Sequence, residues 1–462
     1  MKRLLAMISL AACSGCGLVG DRSGADGKIV EAALNQSRAY EKLEYLTDRI
    51  GPRLAGSAGL DNAVLWTAEE FRRDGLEKVR TEPVMVPHWI RGVETSRIVV
   101  PIEHTMATTA LGMSVATPEG GIEGEVVEVA SFEELKVLGE RVAGKIVLYN
   151  KPMVRNGGER DGYGAAVGMR GSGAVEAAKL GAVATLIRSL GTASYRLPHT
   201  GAMGYEDSVP RIPSAAIAAE DAELIHRLLA KGDTVRVQLV LGCRTVPDAP
   251  SANVIAEITG RERPEEIVLI GAHLDSWDLG AGAIDDGAGV AVVMETMRLL
   301  KSLGMTPRRT IRAVLFTNEE NGLRGGRGYA EAHAGELARH VAAIESDSGG
   351  GTPLGFGVSA GPGGVEVVRS IAAALKPIGA REVTPQGGGA DIGPTRAAGV
   401  PQLGLRQDTT YYFDFHHTAA DTLDKVKPED LARNVAALGV MAYGLAEREA
   451  PLPRLPASES ER

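Results

Sequence analysis

Acids and imidazoles recur in short clusters through the second half of this chain: His273 and Asp275, Asp285 and Asp286, Glu319 and Glu320, Asp347, and His416 and His417. Each residue type is a competent metal ligand or proton carrier near neutral pH. His273 and Asp275 stand two residues apart after an apolar, β-branched run (266–271, EIVLIG) that reads as a buried parallel strand. Their side chains therefore share one face at its carboxyl end. An imidazole beside a carboxylate is the usual pairing of a metal ligand with the group that orients it. The Gly-rich segment that follows lets the backbone turn sharply and return Asp285 and Asp286 to the same place. Taken singly, each cluster has a plainer reading, since an acidic pair after a strand is usually a solvated loop or a helix start. Jointly they place many carboxylates in one volume, where repulsion is costly unless cations neutralise it. A metal site is the economical solution.

The elements that must position these groups are legible around them. The segment 288–300 has helical composition and leads back along the sheet, and 310–316 (TIRAVLF) reads as a strand with TNEE at its carboxyl end. A helix is expected from Arg324, strands over 341–344 and 400–405, and a closing helix over 428–446 with Pro at its start. In open α/β sheets ligands bind outside the carboxyl ends of the strands, and those ends carry acids or a histidine here. Upstream, apolar spacing predicts an amphipathic helix over 29–50, ended by Gly51-Pro52-Arg53, and a second over 57–75 with Asp61 near its start. Between 103 and 246 the character changes. Strands at 124–129, 145–149 and 183–187 alternate with Ala-rich helices at 172–180 and 219–230. His104, His199 and His226 are scattered there and read as surface or locally paired residues, so this stretch is expected to cover or shape a site built elsewhere.

A chain of 462 residues exceeds what one core usually organises, so two domains are expected. Its 50 Lys plus Arg against 59 Asp plus Glu, a formal charge of −9, argue against a nucleic-acid partner. Lys2 and Arg3 precede an apolar segment, 4–12, too short to span a bilayer but suited to a signal-peptide core. It runs into Leu10-Ala11-Ala12-Cys13, which resembles a bacterial lipobox. The expectation is export, with membrane attachment only through lipid on Cys13; an ordinary cleaved signal is the alternative. Cys16 and Cys243 are the only other cysteines, so no disulfide framework is implied. The expected division is a signal peptide and polar tether over 1–28, a main domain from 29–102 and 247–450, an insert over 103–246, and a disordered tail over 451–462.

In order, HLDSWDLGAGAIDDGAG, TNEE, ESD and HHTAAD resemble the co-catalytic di-zinc exopeptidases of the aminopeptidase and glutamate carboxypeptidase type. KIVL at 145–148 and PSAA at 213–216 resemble the protease-associated domain, a small α/β insert. The resemblance implies an α/β fold: an α/β/α zinc-exopeptidase domain with a mixed, largely parallel sheet, plus that insert. It implies two zinc ions per chain, one on His273 and Asp347, the other on Glu320 and His417, with Asp285 bridging both. Such ligands suit other divalent ions as well. Glu319 becomes the general base acting with a metal-bridging hydroxide, Asp275 orients His273, and a cis peptide joins Asp285 to Asp286. Neighbours in an extended chain face opposite ways, so only one of His416 and His417 can easily bind metal; the family pattern H-[S/T]-x-x-D selects His417 and sets Asp421 behind it. Tyr412 loosely matches a tyrosine that some members use to steady the oxyanion, and Asp391, in GGGADIGP, could meet a substrate amino group. Within the branch that HLDSWD suggests, the substrates implied are short peptides or dipeptides, and homodimers are common.

Other readings stay open on the residues alone. Gly357-Val358-Ser359-Ala360-Gly361 fits the G-x-S-x-G nucleophile elbow, with Asp391 and His417 downstream in the right order for a serine hydrolase. That reading leaves His273, Asp285 and Glu320 without purpose, and Pro362-Gly363-Gly364 is a poor opening for the elbow's helix. A binding protein that kept the fold and lost the chemistry is another, although all five ligand positions and Glu319 hold competent residues. A transferase of the glutaminyl cyclase type, with a single zinc, is a third.

Overall fold

Two mixed sheets of eight strands each organise the described residues. The computed structural model describes residues 22–155 and 162–456. From edge to edge the first sheet runs through Glu77–Ile90 (β1), Arg244–Ile258 (β10), Arg309–Phe316 (β12), Arg263–His273 (β11), His340–Glu345 (β13), Gln402–Gln407 (β16), Pro353–Ser359 (β14) and Glu382–Pro385 (β15). Its middle four strands, β12, β11, β13 and β16, are parallel, while β10 and β14 run antiparallel on either side. A parallel strand covered on both faces reads as one apolar run, and every residue of β12 is buried. Alternate residues serve opposite faces. Val268, Ile270, Ala342 and Ile344 pack toward the helices Ala288–Ser302 and Pro428–Glu447, whereas Leu269, Val314 and Ala343 meet Tyr329 of the helix Arg324–Ala332. The result is the expected α/β/α arrangement.

The second sheet runs through His104–Met106 (β3), Glu94–Val100 (β2), Arg236–Leu241 (β9), Ile122–Val129 (β5), Ile146–Tyr149 (β6), Ala184–Arg188 (β7), Ser214–Ile217 (β8) and Thr108–Ala110 (β4). The long antiparallel pair of β1 and β10 leads into and out of it. Because β2 pairs with β9, it belongs with this sheet although it precedes the boundary expected at residue 103.

Other edges also differ from expectation. The helix expected over 29–50 is three pieces: Arg22–Gln36, Ala39–Tyr45 and a π-helical turn, Leu46–Ile50. It starts inside the expected tether, and it breaks where the Arg38 N–H turns to the buried Glu295 carboxylate at 2.8 Å. Residues 451–456, expected to be disordered, are packed. Leu452 and Leu455 are buried, and Arg454 donates to the carbonyls of Leu337 and His340. The signal segment and Cys13 lie outside the described residues, and no helix among the described residues is long and apolar enough to cross a membrane.

Candidate active site

The carboxyl ends of β11, β12 and β13 bring the expected groups to one rim. His273 closes β11, and its Nε2 lies 3.2 Å from Asp285 Oδ1 and 3.7 Å from Asp347 Oδ1. His417 Nε2 lies 3.1 Å from Asp285 Oδ2 and 3.1 Å from Glu320 Oε2. Asp285 thus offers one oxygen to each imidazole and divides the five residues into two sets that share it. Each set supplies one ring nitrogen and carboxylate oxygens, a donor mix that fits zinc. Glu320 Oε1 is buried with no hydrogen-bond partner, a deficit that a cation would relieve.

The electrostatics point the same way. Burial disfavours a charged Asp285, but His273 and His417 outweigh it and hold that carboxyl well below its ordinary value. Burial likewise opposes an imidazolium, yet Asp285 and Asp347 lift His273 well above its usual value, and Glu320 with Asp285 does so for His417. Glu320 is pushed up by burial and by Asp285, and Glu319 by burial and then Asp347 and Glu320. A rim that retains protons on acids and imidazoles alike is short of positive charge, and bound divalent ions displace such protons.

Backbone donors pin the loops that carry these groups. Asp275 accepts from the N–H of Glu319 at 2.9 Å and of Glu320 at 3.2 Å. Its carboxylate does not orient His273: it stands 3.8 Å from Nδ1, whereas the Asp275 carbonyl lies 3.0 Å from that nitrogen. Asp286 accepts from the N–H of His273 and of Gly289, and the Asp285–Asp286 peptide is cis. Asp421 accepts from the N–H groups of Ala283, Ile284 and Asp285 and so holds the turn that presents the shared carboxylate. Gly282 sits at φ +59°, and a Cβ there would stand 2.3 Å from that of Ser276, so the turn requires glycine.

His416 departs from the extended-chain expectation. The two rings stack with centroids 3.9 Å apart, because His417 adopts a left-handed φ of 60°. His416 is buried against Tyr412, Phe413 and His199, and its Nδ1 has no partner. One of its ring nitrogens nonetheless lies within 4.8 Å of ligand atoms of Asp285 and His417. Tyr412 is buried in the wall of a pocket of about 180 Å³, shared with Ile284, Ser348 and Phe415. Asp391 is fully buried beside Glu345, with neither carboxylate oxygen hydrogen-bonded. Ser359 ends β14 opposite Gln402, the first residue of β16. That level is mid-sheet, aligned through Ala343 with Leu269; the Ser359 Oγ accepts the Gly387 N–H, and the ring nitrogens of His417 face the Thr200 carbonyl and the Asp285 and Glu320 carboxylates, which removes the serine-hydrolase pairing.

Several residues of the site escape the sequence pattern. Arg53 is fully buried and donates to the carbonyls of Leu274, Gly51, Ala281 and Gly282, strapping the metal-side loop. Its only signal is the short GPRLAGSAG run. The second sheet contributes Arg170, His199 and Thr200. His199 is buried against His416, contrary to expectation, while His104 and His226 do pair locally, with Asp221 and Glu128. Nothing in sequence spacing marks these approaches, since they depend on how two sheets meet.

Known proteins resemble this chain in sequence and share its fold. The model of peptidase family M28 matches residues 253–441. Mouse carboxypeptidase Q is 42% identical over 419 residues, covering 91% of this chain and 88% of that protein. The crystal structure of a peptidase M28 precursor from Shewanella amazonensis superposes with a TM-score of 0.90 at 40% identity, covering 94% of this chain and 99% of that one. A zinc aminopeptidase from Bacillus subtilis shares the fold, with a TM-score of 0.65 at 23% identity over 92% of this chain and 98% of that one. Fold, rim and relatives define a metallo-exopeptidase. More particularly, the chain belongs to peptidase family M28.

Proposed function

We propose that this M28 peptidase is a two-zinc exopeptidase that hydrolyses short peptides or dipeptides. The supporting observation is Asp285, whose two oxygens face different imidazoles. His273 and Asp347 would hold one ion and Glu320 and His417 the other, with Asp285 between them. Bound there, zinc polarises the scissile carbonyl and brings the pKa of water toward neutrality.

The chain's own residues supply the rest. Glu319 neighbours the Glu320 ligand, and Asp275 fixes its backbone. It takes the proton of the attacking water and delivers it to the departing amine. Burial and the surrounding acids raise its proton affinity, which suits a base that must hold that proton between the two transfers. Asp391 and Glu345 lie together at the His273 end of the rim, where burial favours their protonated forms, and their unpartnered carboxyl oxygens are the groups that would meet a free amino group. Tyr412 shapes the neighbouring pocket. The segment ending at Cys13 supports export and a lipid anchor. The names of the relatives, carboxypeptidase and aminopeptidase, support action at a chain end.

Elemental analysis beside a dipeptide panel tests the proposal. Two zinc ions per chain and chelator-sensitive turnover are expected. A single tight ion, or inhibition by a serine-directed phosphonate without sensitivity to chelators, overturns it.

A further inference from the structure

The two histidines of the rim are held by different means. His273 closes β11 inside the sheet, where it pairs with Phe316 of β12. His417 lies in a turn, outside any strand or helix. It follows the short helix Tyr412–Phe415 on the loop after β16, and its φ of 60° is one that a non-glycine residue keeps only where its surroundings enforce it.

Those surroundings include the second sheet's unit. Arg155 reaches across from the segment after β6. Its Nη2 donates to Asp414 Oδ1 at 2.6 Å and Oδ2 at 2.8 Å, and its Nη1 to the Thr410 carbonyl at 2.7 Å. Its guanidinium also lies over the Tyr411 ring, 4.9 Å from the centroid. Thr192, after β7, donates its hydroxyl to Asp414 Oδ1 at 2.7 Å and its N–H to the Phe413 carbonyl at 3.2 Å. A Cβ on Gly191 would stand 3.0 Å from that carbonyl, so this segment packs directly on the short helix. Thr200 then clasps His417 itself: its N–H donates to the His417 carbonyl at 3.0 Å, and its own carbonyl lies 3.2 Å from Nδ1. With Nε2 turned to Asp285 and Glu320, Nδ1 carries the proton that Thr200 accepts, and the ring presents its lone pair to the rim.

Asp414 is the centre of this clasp. Its side chain is fully buried, and among the described residues every hydrogen bond to its carboxylate comes from Arg155 or Thr192. A buried carboxylate is tolerable only when paired and hydrogen-bonded, so the short helix and the second sheet's unit hold their places together. We infer that Arg155, Thr192 and Asp414 are positioning residues through which the second sheet's unit completes one metal site of the two. The site on His417 and Glu320 depends on the clasp; the site on His273 and Asp347 does not. This rests on the two-zinc reading above and adds what builds one of its halves.

The test titrates the zinc-free full chain with zinc against a competing chelator. Because Arg155→Met alone strands a buried carboxylate, the principal variant combines it with Asp414→Asn, which removes both charges. One of the two ions should then bind about 10–100-fold more weakly and the other within about threefold of wild type. Arg155→Lys, which keeps the charge without the fork, should show a smaller loss on the same ion. In His417→Ala, which retains the His273 set, adding the combined change should leave zinc affinity within about threefold. Amide exchange in the zinc-free protein should quicken over 412–418 in the combined variant and stay unchanged over 268–273. Wild-type affinity for both ions, an equal loss on both, or a further loss in the His417→Ala background overturns the assignment. Fewer than two zinc ions on the wild-type chain overturns the two-zinc reading instead; amide exchange then decides, and unchanged protection over 412–418 overturns the clasp as well.

Discussion

Asp275 holds Glu319 through its backbone: Oδ1 accepts the Glu319 N–H at 2.9 Å, while Oδ2 takes that of Glu320 at 3.2 Å. One buried carboxylate thereby sets the positions of the proposed base and of a proposed ligand. Asp275→Asn keeps the shape but turns one acceptor into a donor facing an N–H. An unsatisfied buried donor costs about 1–3 kcal/mol. Turnover should fall roughly 10–100-fold with zinc content retained. Steady-state rates measured beside metal analysis check this, and an unchanged kcat would show that the hold does not matter.

Glu319 and His273 should separate chemistry from metal binding. Glu319→Gln keeps the volume and removes the proton acceptor, so zinc stays while kcat falls by about 100-fold or more. His273→Ala removes a ring nitrogen from one ligand set and should lower zinc content. Ordinary activity in Glu319→Gln would remove its role as base.

The clustering of acids and imidazoles at one rim is largely legible because the acids follow apolar runs, and strand ends in an α/β sheet converge whatever the loops between them do. His273, Asp285, Glu320, Asp347 and His417 are brought together from three strand ends, a Gly-rich turn and a loop after β16. What the sequence did not show is longer in range. Arg53 acts on carbonyls more than two hundred residues away, and Arg170 and Thr200 reach His417 only because the second sheet's unit docks there. The stacking of His416 on His417 depends on one left-handed φ, which extended-chain reasoning cannot supply. The long pair of β1 and β10 is hard to read as strands for a simpler reason: each mixes polar with apolar residues and carries two prolines, Pro83 and Pro87 in β1 and Pro247 and Pro250 in β10.

Ser359 supplies a negative control. Its Oγ accepts the Gly387 N–H at 3.1 Å, at the end of β14 opposite the start of β16. Ser359→Ala should leave kcat/KM within about twofold and change stability by roughly 1 kcal/mol. A loss of several orders of magnitude would revive the elbow reading.

Removal of metal should reshape the pH dependence of stability. Burial raises Asp421 to about 7, and it raises Glu320 and Glu345 too, with help from Asp285 and Asp347 respectively. An acid whose folded pKa lies above its unfolded value, about 4, stabilises fully below pH 4 and loses that contribution as the pH climbs toward 7. The chelated protein should therefore melt at a lower temperature at pH 8 than at pH 5, losing at most about 1.4 kcal/mol per pH unit per group across that window. Zinc takes its carboxylate ligands deprotonated, so the loaded protein should lose less over the same interval. Parallel thermal melts with zinc and with chelator check the sign, and identical slopes would speak against cations at this rim.

Arg53 carries the strongest stability prediction. Burial lowers its pKa to about 10, offset in part by Asp421 and Asp275, so it remains charged near neutrality. Its Nε donates to Leu274 O at 2.8 Å, Nη1 to Gly51 O at 2.9 Å and Ala281 O at 2.7 Å, and Nη2 to Gly282 O at 3.0 Å. These four carbonyls sit around a planar fork, and a lysine offers three donors from a single atom, which cannot span them. Arg53→Lys should therefore lose about 2–4 kcal/mol of stability. Because Gly282 leads directly into the turn that presents Asp285, zinc affinity should weaken about tenfold as well. Denaturant unfolding and competitive zinc titration read the two effects separately. A variant with an unchanged midpoint and unchanged affinity would show that the loop keeps its shape without the guanidinium.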